Sequence, residues 1–226
     1  MSLNQGRVIP MNRMVSKRPE HETIYQQVKE MILFGEVVPG QPVTIHGLAA
    51  AIGTGVTPAR EAIRRLTAEG ALVTLENRRI EVPAMTDHRL DQIELVRLTV
   101  EPELADMATK FCDIKDIETL EHYDGLIDIA IQNGDIRSYL EANYRFHFTL
   151  YDIADAQILR RIADTLWLRV GPSLRVVCGR YGTTNLIDHH RAATSALREG
   201  NAAKVKAAIE EDIRQGITFI RQTTAT

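Results

Sequence analysis

Long apolar runs are missing from this chain of 226 residues. None approaches the roughly 18 residues that a membrane-spanning helix needs, so no transmembrane segment is expected. The start, Met1-Ser2-Leu3-Asn4-Gln5-Gly6-Arg7, lacks the apolar core of a signal peptide. Cysteine is scarce: Cys112 and Cys178 share no metal or redox spacing. That suits a reducing cytoplasm, where the protein is expected to reside, away from membranes. Internal repeats and low-complexity segments are absent as well. An excess of one charge is also lacking, since the net charge is only −3.

The charge that is present is divided unevenly. Residues 1–85 hold ten Lys/Arg against eight Asp/Glu, and residues 86–226 hold seventeen against twenty-two. A mildly basic front joined to an acidic back fits a chain that docks nucleic acid with one domain only. The length allows two domains of ordinary size, and 44% apolar with 25% charged residues is typical of a globular protein.

Punctuation and periodicity divide the chain further. Residues 1–19 carry Arg7, Arg13, Lys17 and Arg18 with few apolar residues, and read as a flexible arm. From Glu20 a helix is marked by Ile24, Val28, Met31 and Ile32, and Gly35 and Pro39-Gly40 end it. Ile45, Leu48 and Ile52 lie on one face of a short second helix, which Gly53-Thr54-Gly55 breaks. Thr57 then reads as the N-cap of a third helix, with Pro58 at its first position. Along it Ala59, Ala62, Ile63 and Leu66 face inward, while Arg60 and Arg64, four apart, share the outer face. Leu72-Val73-Thr74-Leu75 and Ile80-Glu81-Val82 form a two-stranded wing with Arg78 and Arg79 at its tip. Two helices so joined, with arginines on the second, are what reading a major groove requires.

These residues resemble the winged helix-turn-helix of the GntR family of transcriptional regulators. The matching pieces are Ile24 through Val28, Ile32-Leu33, Gly35, Pro39-Gly40, Leu48-Ala49, Thr57 through Ala62, Arg65-Leu66 and Glu69-Gly70. The resemblance implies a homodimer on double-stranded operator DNA, contacted through Thr57, Arg60, Arg64, His46, Arg78 and Arg79. The chain departs from the family in three places. Val56 replaces an arginine before the Thr-Pro pair, His46 stands for an arginine in the preceding helix, and Arg79 takes the wing-tip glycine. Of the family's usual DNA-contacting arginines, Arg60 is the one carried over, so the preferred sequence should differ from a typical member's.

From Thr86 onward nothing reads as strand. Ile93, Val96, Val100, Leu104 and Met107 trace a helix containing Pro102, where a kink is expected near Leu98–Thr99. Further helices are expected at about 115–132, 136–153, 156–177, 184–199 and 201–223, giving an antiparallel all-α bundle over 84–226 behind a DNA-binding unit at 20–83. In this half Asn143 and His147 share a helical face, and His190 and Asp212 follow much later. Imidazole and carboxylate are ligands for zinc, nickel or manganese.

Val96-Arg97, Glu101-Pro102, Asn143 through His147 with Leu150, His190-Arg191-Ala192, Leu197-Arg198 and Ala202-Ala203 resemble the FCD ligand-binding domain of the FadR-like branch of that family. The resemblance implies a divalent metal on Asn143, His147, His190 and Asp212, with aspartate at the last place where histidine is common. It further implies a small organic acid bound beside the metal, with Arg97 and Tyr144 at the effector site. Alternatives stay open: His147 as a packed core histidine, an organic or empty pocket without metal, and Arg97 bridging Glu94 or Glu101 on its own helix. The overall expectation is a DNA-binding regulator controlled by a small carboxylate. The competing one is a metal-dependent enzyme on the bundle.

Overall fold

A computed structural model describes residues 20–181 and 187–224. The expected arm at 1–19 and the first residues of the helix expected at 184–199 lie outside this range.

The first unit holds α1 (Glu20–Leu33), β1 (Pro42–Val43), α2 (Ile45–Ile52), α3 (Val56–Ala68), β2 (Val73–Thr74) and β3 (Ile80–Glu81). Thr44 caps α2, its side chain accepting from the Gly47 N–H at 3.0 Å, which satisfies one orphan amide of the first turn. Gly53, at φ 66°, closes α2 in the left-handed region open to glycine. The next helix starts earlier than expected: Gly55 occupies the cap of α3, so Thr57 lies inside the first turn and does not cap it. Pro58 is tolerated there because the first amides of a helix have no intrahelical acceptor. The apolar stripe Ala59, Ala62, Ile63 and Leu66 is buried against α1 and α2. The wing has a third strand: β1 pairs with β3 and β3 with β2, all antiparallel, in the register Pro42 to Glu81 and Val73 to Glu81.

The second unit is helical throughout: α4 (Asp87–Ala108), α5 (Ile114–Asn133), α6 (Ile136–Ile153), α7 (Gln157–Tyr181), α8 (His189–Arg198) and α9 (Ala202–Thr224). Side-chain caps start most of them. Thr86, Asp135 and Asp188 each accept from a backbone N–H, and Asp113 forms a reciprocal capping box with Asp116. α4 continues as one helix through Pro102. Its inward stripe differs from the apolar one expected, because Arg97 and Glu101 are buried on it while Leu95 and Val96 are exposed.

The buried side chains of both units form one connected cluster, running from Ile24 to Ile220. The helices that join them are α1 and α7. No helix among the described residues is long and apolar enough to cross a membrane.

Candidate functional site

Three helices deliver side chains to one point inside the bundle. α6 brings His147, fully buried, with Asn143 one turn earlier. α8 brings His190 on its first turn, placed there by the Asp188 cap, and α9 brings Asp212. His147 Nε2 stands 3.1 Å from Asp212 Oδ2 and 3.2 Å from His190 Nε2, and His190 Nε2 stands 3.7 Å from Asp212 Oδ1. One donor atom from each of the three residues thus lies within 4.8 Å of the others. His189, the neighbour of His190, is not part of the group.

Hydrogen bonding around the cluster sets the tautomers. The Tyr151 hydroxyl donates its proton to Glu101 Oε2 at 2.7 Å. Its oxygen can therefore only accept from His147, whose Nδ1 lies 3.1 Å away. That fixes the His147 proton on Nδ1 and turns an Nε2 lone pair towards Asp212. On the other ring, Nδ1 of His190 faces Asp124 Oδ1 at 3.5 Å and Nε2 turns inward. Two imidazole Nε2 atoms and a carboxylate converge. The donor types fit a divalent metal.

Ionisation separates the two rings. Burial holds the His147 imidazole below its ordinary pKa despite the neighbouring Asp212, keeping the ring neutral. For Asp212 burial works against ionisation, but His147, His190 and Arg97 outweigh it and keep the carboxyl well below its usual range. His190 is raised, because Asp124 and Asp212 overcome the effect of burial, so its ring holds a proton more readily and a metal there has to displace that proton.

Beside the cluster lies a cavity of about 50 Å³, with Arg97, Asn143, Trp167, Cys178 and Asp212 in its wall. Arg97 reaches this wall, yet its Nε and one terminal nitrogen bind Glu101 at 2.5 and 3.0 Å, the partner one turn along its own helix. Trp167 Nε1 donates to the same carboxylate at 2.9 Å. Tyr144 is elsewhere: its hydroxyl donates to Asp164 at 2.8 Å and its ring stacks on Phe148, so it lines no part of this cavity. Glu101, named from the sequence as a partner for Arg97, also holds Tyr151, while Tyr151 and Asp124, which orient the two imidazoles from α6 and α5, were not singled out in the sequence.

The second candidate surface is on the first unit. His46, Thr57, Arg60, Arg64, Arg78 and Arg79 are all exposed. Arg64 is held by Glu61 through contacts of 2.9 and 2.5 Å, whereas Arg60 has no hydrogen-bond or ion-pair partner among the described residues. Arg65 is structural: it bridges Glu22 at 2.7 Å and covers the Tyr25 ring at 3.6 Å. At the wing tip Arg78 adopts φ 63°, which turns the chain between β2 and β3.

Comparisons with known proteins follow this division. Residues 20–82 match the family described as bacterial regulatory proteins, gntR family, and residues 92–215 match the FCD domain. The HTH-type transcriptional regulator McbR of Escherichia coli (strain K12) is 24% identical over 202 residues, covering 88% of this chain and 91% of that protein. The uncharacterized HTH-type transcriptional regulator YdhC of Bacillus subtilis (strain 168) is 26% identical over 147 residues, covering 65% and 66%. The solved structure titled E. coli McbR/YncC shares the fold, with a TM-score of 0.86 at 23% identity over 92% of this chain and all of that one. The family and these relatives are transcriptional regulators, which sets aside the metal-dependent enzyme. The chain belongs to the GntR family of DNA-binding transcriptional regulators, with a winged helix-turn-helix at 20–82 and an FCD domain at 92–215.

Proposed function

We propose that this regulator binds operator DNA as a homodimer in the cytoplasm and that a small carboxylate, bound beside a divalent metal, controls its affinity. In this reading residues 20–83 form the DNA-binding unit and residues 84–226 the effector-binding and dimerisation unit. His147, His190 and Asp212 hold zinc, nickel or manganese, with Asn143 as a fourth ligand, and the remaining coordination positions open towards the cavity and Arg97. One observation carries this reading: the Nε2 atoms of His147 and His190 meet the Asp212 carboxylate, while Nδ1 of His147 lies against Tyr151 and Nδ1 of His190 faces Asp124. Imidazole and carboxylate donors drawn from three helices make metal binding a contribution to folding, since a ligand that binds the folded state alone adds about 2.7 kcal/mol at a hundredfold excess over Kd. Chelation should therefore lower the melting temperature, and Mn²⁺, Ni²⁺ or Zn²⁺ should restore it. His147→Ala should abolish that response and His189→Ala should leave it intact. A wild-type melting temperature indifferent to both chelator and metal would end the metal reading.

Dimerisation is supported by a second observation. On adjoining helices, Leu95 and Val96 of α4 and Ile158 and Ile162 of α7 are 68%, 37%, 79% and 39% exposed. Ile158, Ile162 and the buried Leu166 recur at four-residue spacing, so they line up along one side of α7. Large aliphatic side chains left exposed on two helices that pack together suit burial against a second copy of the chain. Leu95→Glu combined with Ile158→Glu should convert the dimer to monomer in size-exclusion chromatography with light scattering. Dimers that persist would place the interface elsewhere.

A further inference from the structure

A cavity of about 50 Å³ holds one or two waters, far below the roughly 300 Å³ of an ordinary ligand pocket. An organic acid entering it has to move a wall. α7 supplies much of that wall through Trp167, Leu174 and Cys178. Asp164, Gly171 and Arg175 precede those residues by three positions each, so they form the neighbouring stripe of the same helix. That stripe carries the winged domain.

Asp164 is the ion-pair partner of Lys29, which is buried on α1 at 7% exposure, and it also accepts from the Tyr144 hydroxyl at 2.8 Å. Tyr144 follows Asn143 on the helix that presents His147. Gly171 lies flush against the end of α1, where a Cβ would fall 2.5 Å from the Leu33 carbonyl oxygen. Arg169 donates from Nε and a terminal nitrogen to the Glu69 carbonyl, at 3.2 and 3.0 Å, just past the end of α3. Pro172 removes the backbone bond to the Leu168 carbonyl at the middle of these contacts, which leaves the helix softest there.

We propose that α7 is the coupling element of the regulator: occupancy of the cavity displaces its Trp167–Cys178 wall, and the Lys29–Asp164–Tyr144 bridge, Arg169 and Gly171 carry that displacement to α1 and the recognition helix α3. This rests on the effector reading above and adds the route by which the site is heard on DNA. The contacts to α1 are close-packed and polar, so a shift of α7 moves the winged domain as a body and does not dissipate between them. In a dimer such a movement changes the separation of two recognition helices, and with it the fit to paired half-sites.

A wedge built into the protein tests this without an effector. Gly216 of α9 lines the cavity, and its nearest neighbour on α7 is Leu174, 3.9 Å from the place of a Cβ. Gly216→Leu fills the cavity and pushes on α7, and Cys178→Met is a second wedge if the first fails to fold. The probe is a duplex obtained by in vitro selection with the wild-type chain, read by fluorescence anisotropy, with folding checked by circular dichroism. A folded wedge variant should change DNA affinity by about 5- to 150-fold, the usual span of allosteric coupling. In a Lys29→Met/Asp164→Asn background, which removes both charges together and strands neither, the wedge effect should shrink several-fold, the remainder passing through Arg169 and Gly171. An equal effect in both backgrounds, or a folded wedge without effect, overturns the proposal. Loss of the metal-dependent melting response with the wedge effect intact would instead strike the metal site and leave the coupling route standing.

Discussion

Glu101→Leu is expected to cost about 3–5 kcal/mol of folding free energy, the range for stranding one member of a buried ion pair. Glu101 is fully buried and accepts four hydrogen bonds, two from Arg97 and one each from Tyr151 and Trp167. Its removal leaves the Arg97 guanidinium, only 4% exposed, without its counter-charge. Against a total stability of about 5–15 kcal/mol, that is a large share. Glu101→Gln should be milder but still costly, because an amide brings N–H donors to a point where only acceptors are wanted. Removing both charges in Arg97→Met/Glu101→Leu should recover part of the loss, since the stranded charge is gone while the Tyr151 O–H and Trp167 N–H still lack their acceptor. A second effect separates architecture from site chemistry. Without Glu101 the Tyr151 proton is no longer committed, His147 loses its fixed tautomer, and metal affinity should fall about 10- to 100-fold even in the restabilised double variant. Urea denaturation reads the first effect and calorimetric metal titration the second. A Glu101→Leu protein destabilised by under about 1 kcal/mol would mean the pair contributes no more than an ordinary surface contact.

The same pair shows why part of this fold was hidden in the sequence. Periodicity assumes that apolar side chains face inward, and for α1, α2 and α3 they do, with the expected turn at Gly53, although the cap expected at Thr57 falls to Gly55. On α4 that assumption fails at both ends. Arg97 and Glu101 satisfy each other four residues apart and go in, while Leu95 and Val96 stay out on a face suited to a partner. Strand β1 escaped because Pro42–Val43 is too short to show alternation, and pairing with β3 alone defines it. At the candidate site, the side chains that converge, His147, His190 and Asp212, could be named from residue type and family resemblance. Their orienters could not, because Asp124 meets His190 and Tyr151 meets Glu101 only through helix packing. Lys29 and Asp164 stand 135 positions apart with no local pattern linking them. Tyr144 lies on that bridge as well, its ring against Phe34 of the winged domain and its hydroxyl on Asp164.

Arg60→Ala should nearly abolish specific operator binding, with the effect doubled by symmetry. α3 exposes two arginines on its outer face, and they are not equivalent. Arg64 is held by Glu61, so any contact it makes with DNA must compete with that pair. Arg60 carries its guanidinium into solvent without such a competitor among the described residues, ready for a guanine edge that accepts two parallel N–H bonds. Each base-reading contact is worth about 1–3 kcal/mol of discrimination, and a dimer makes it twice, for a total of about 2–6 kcal/mol. Anisotropy titrations on a selected duplex should thus show affinity falling by roughly 30-fold or more, while binding to random-sequence DNA changes far less. Arg78→Ala and Arg79→Ala supply the contrast. Cations on the wing should weaken specific and random duplexes alike and flatten the dependence of affinity on salt by about one unit per lost phosphate contact. Glu61→Ala releases Arg64 and should tighten binding to both duplexes if Arg64 meets phosphate. If Arg60→Ala instead weakened both duplexes by the same factor, Arg60 would be a phosphate contact, and base reading would have to come from Thr57, Arg64 and His46.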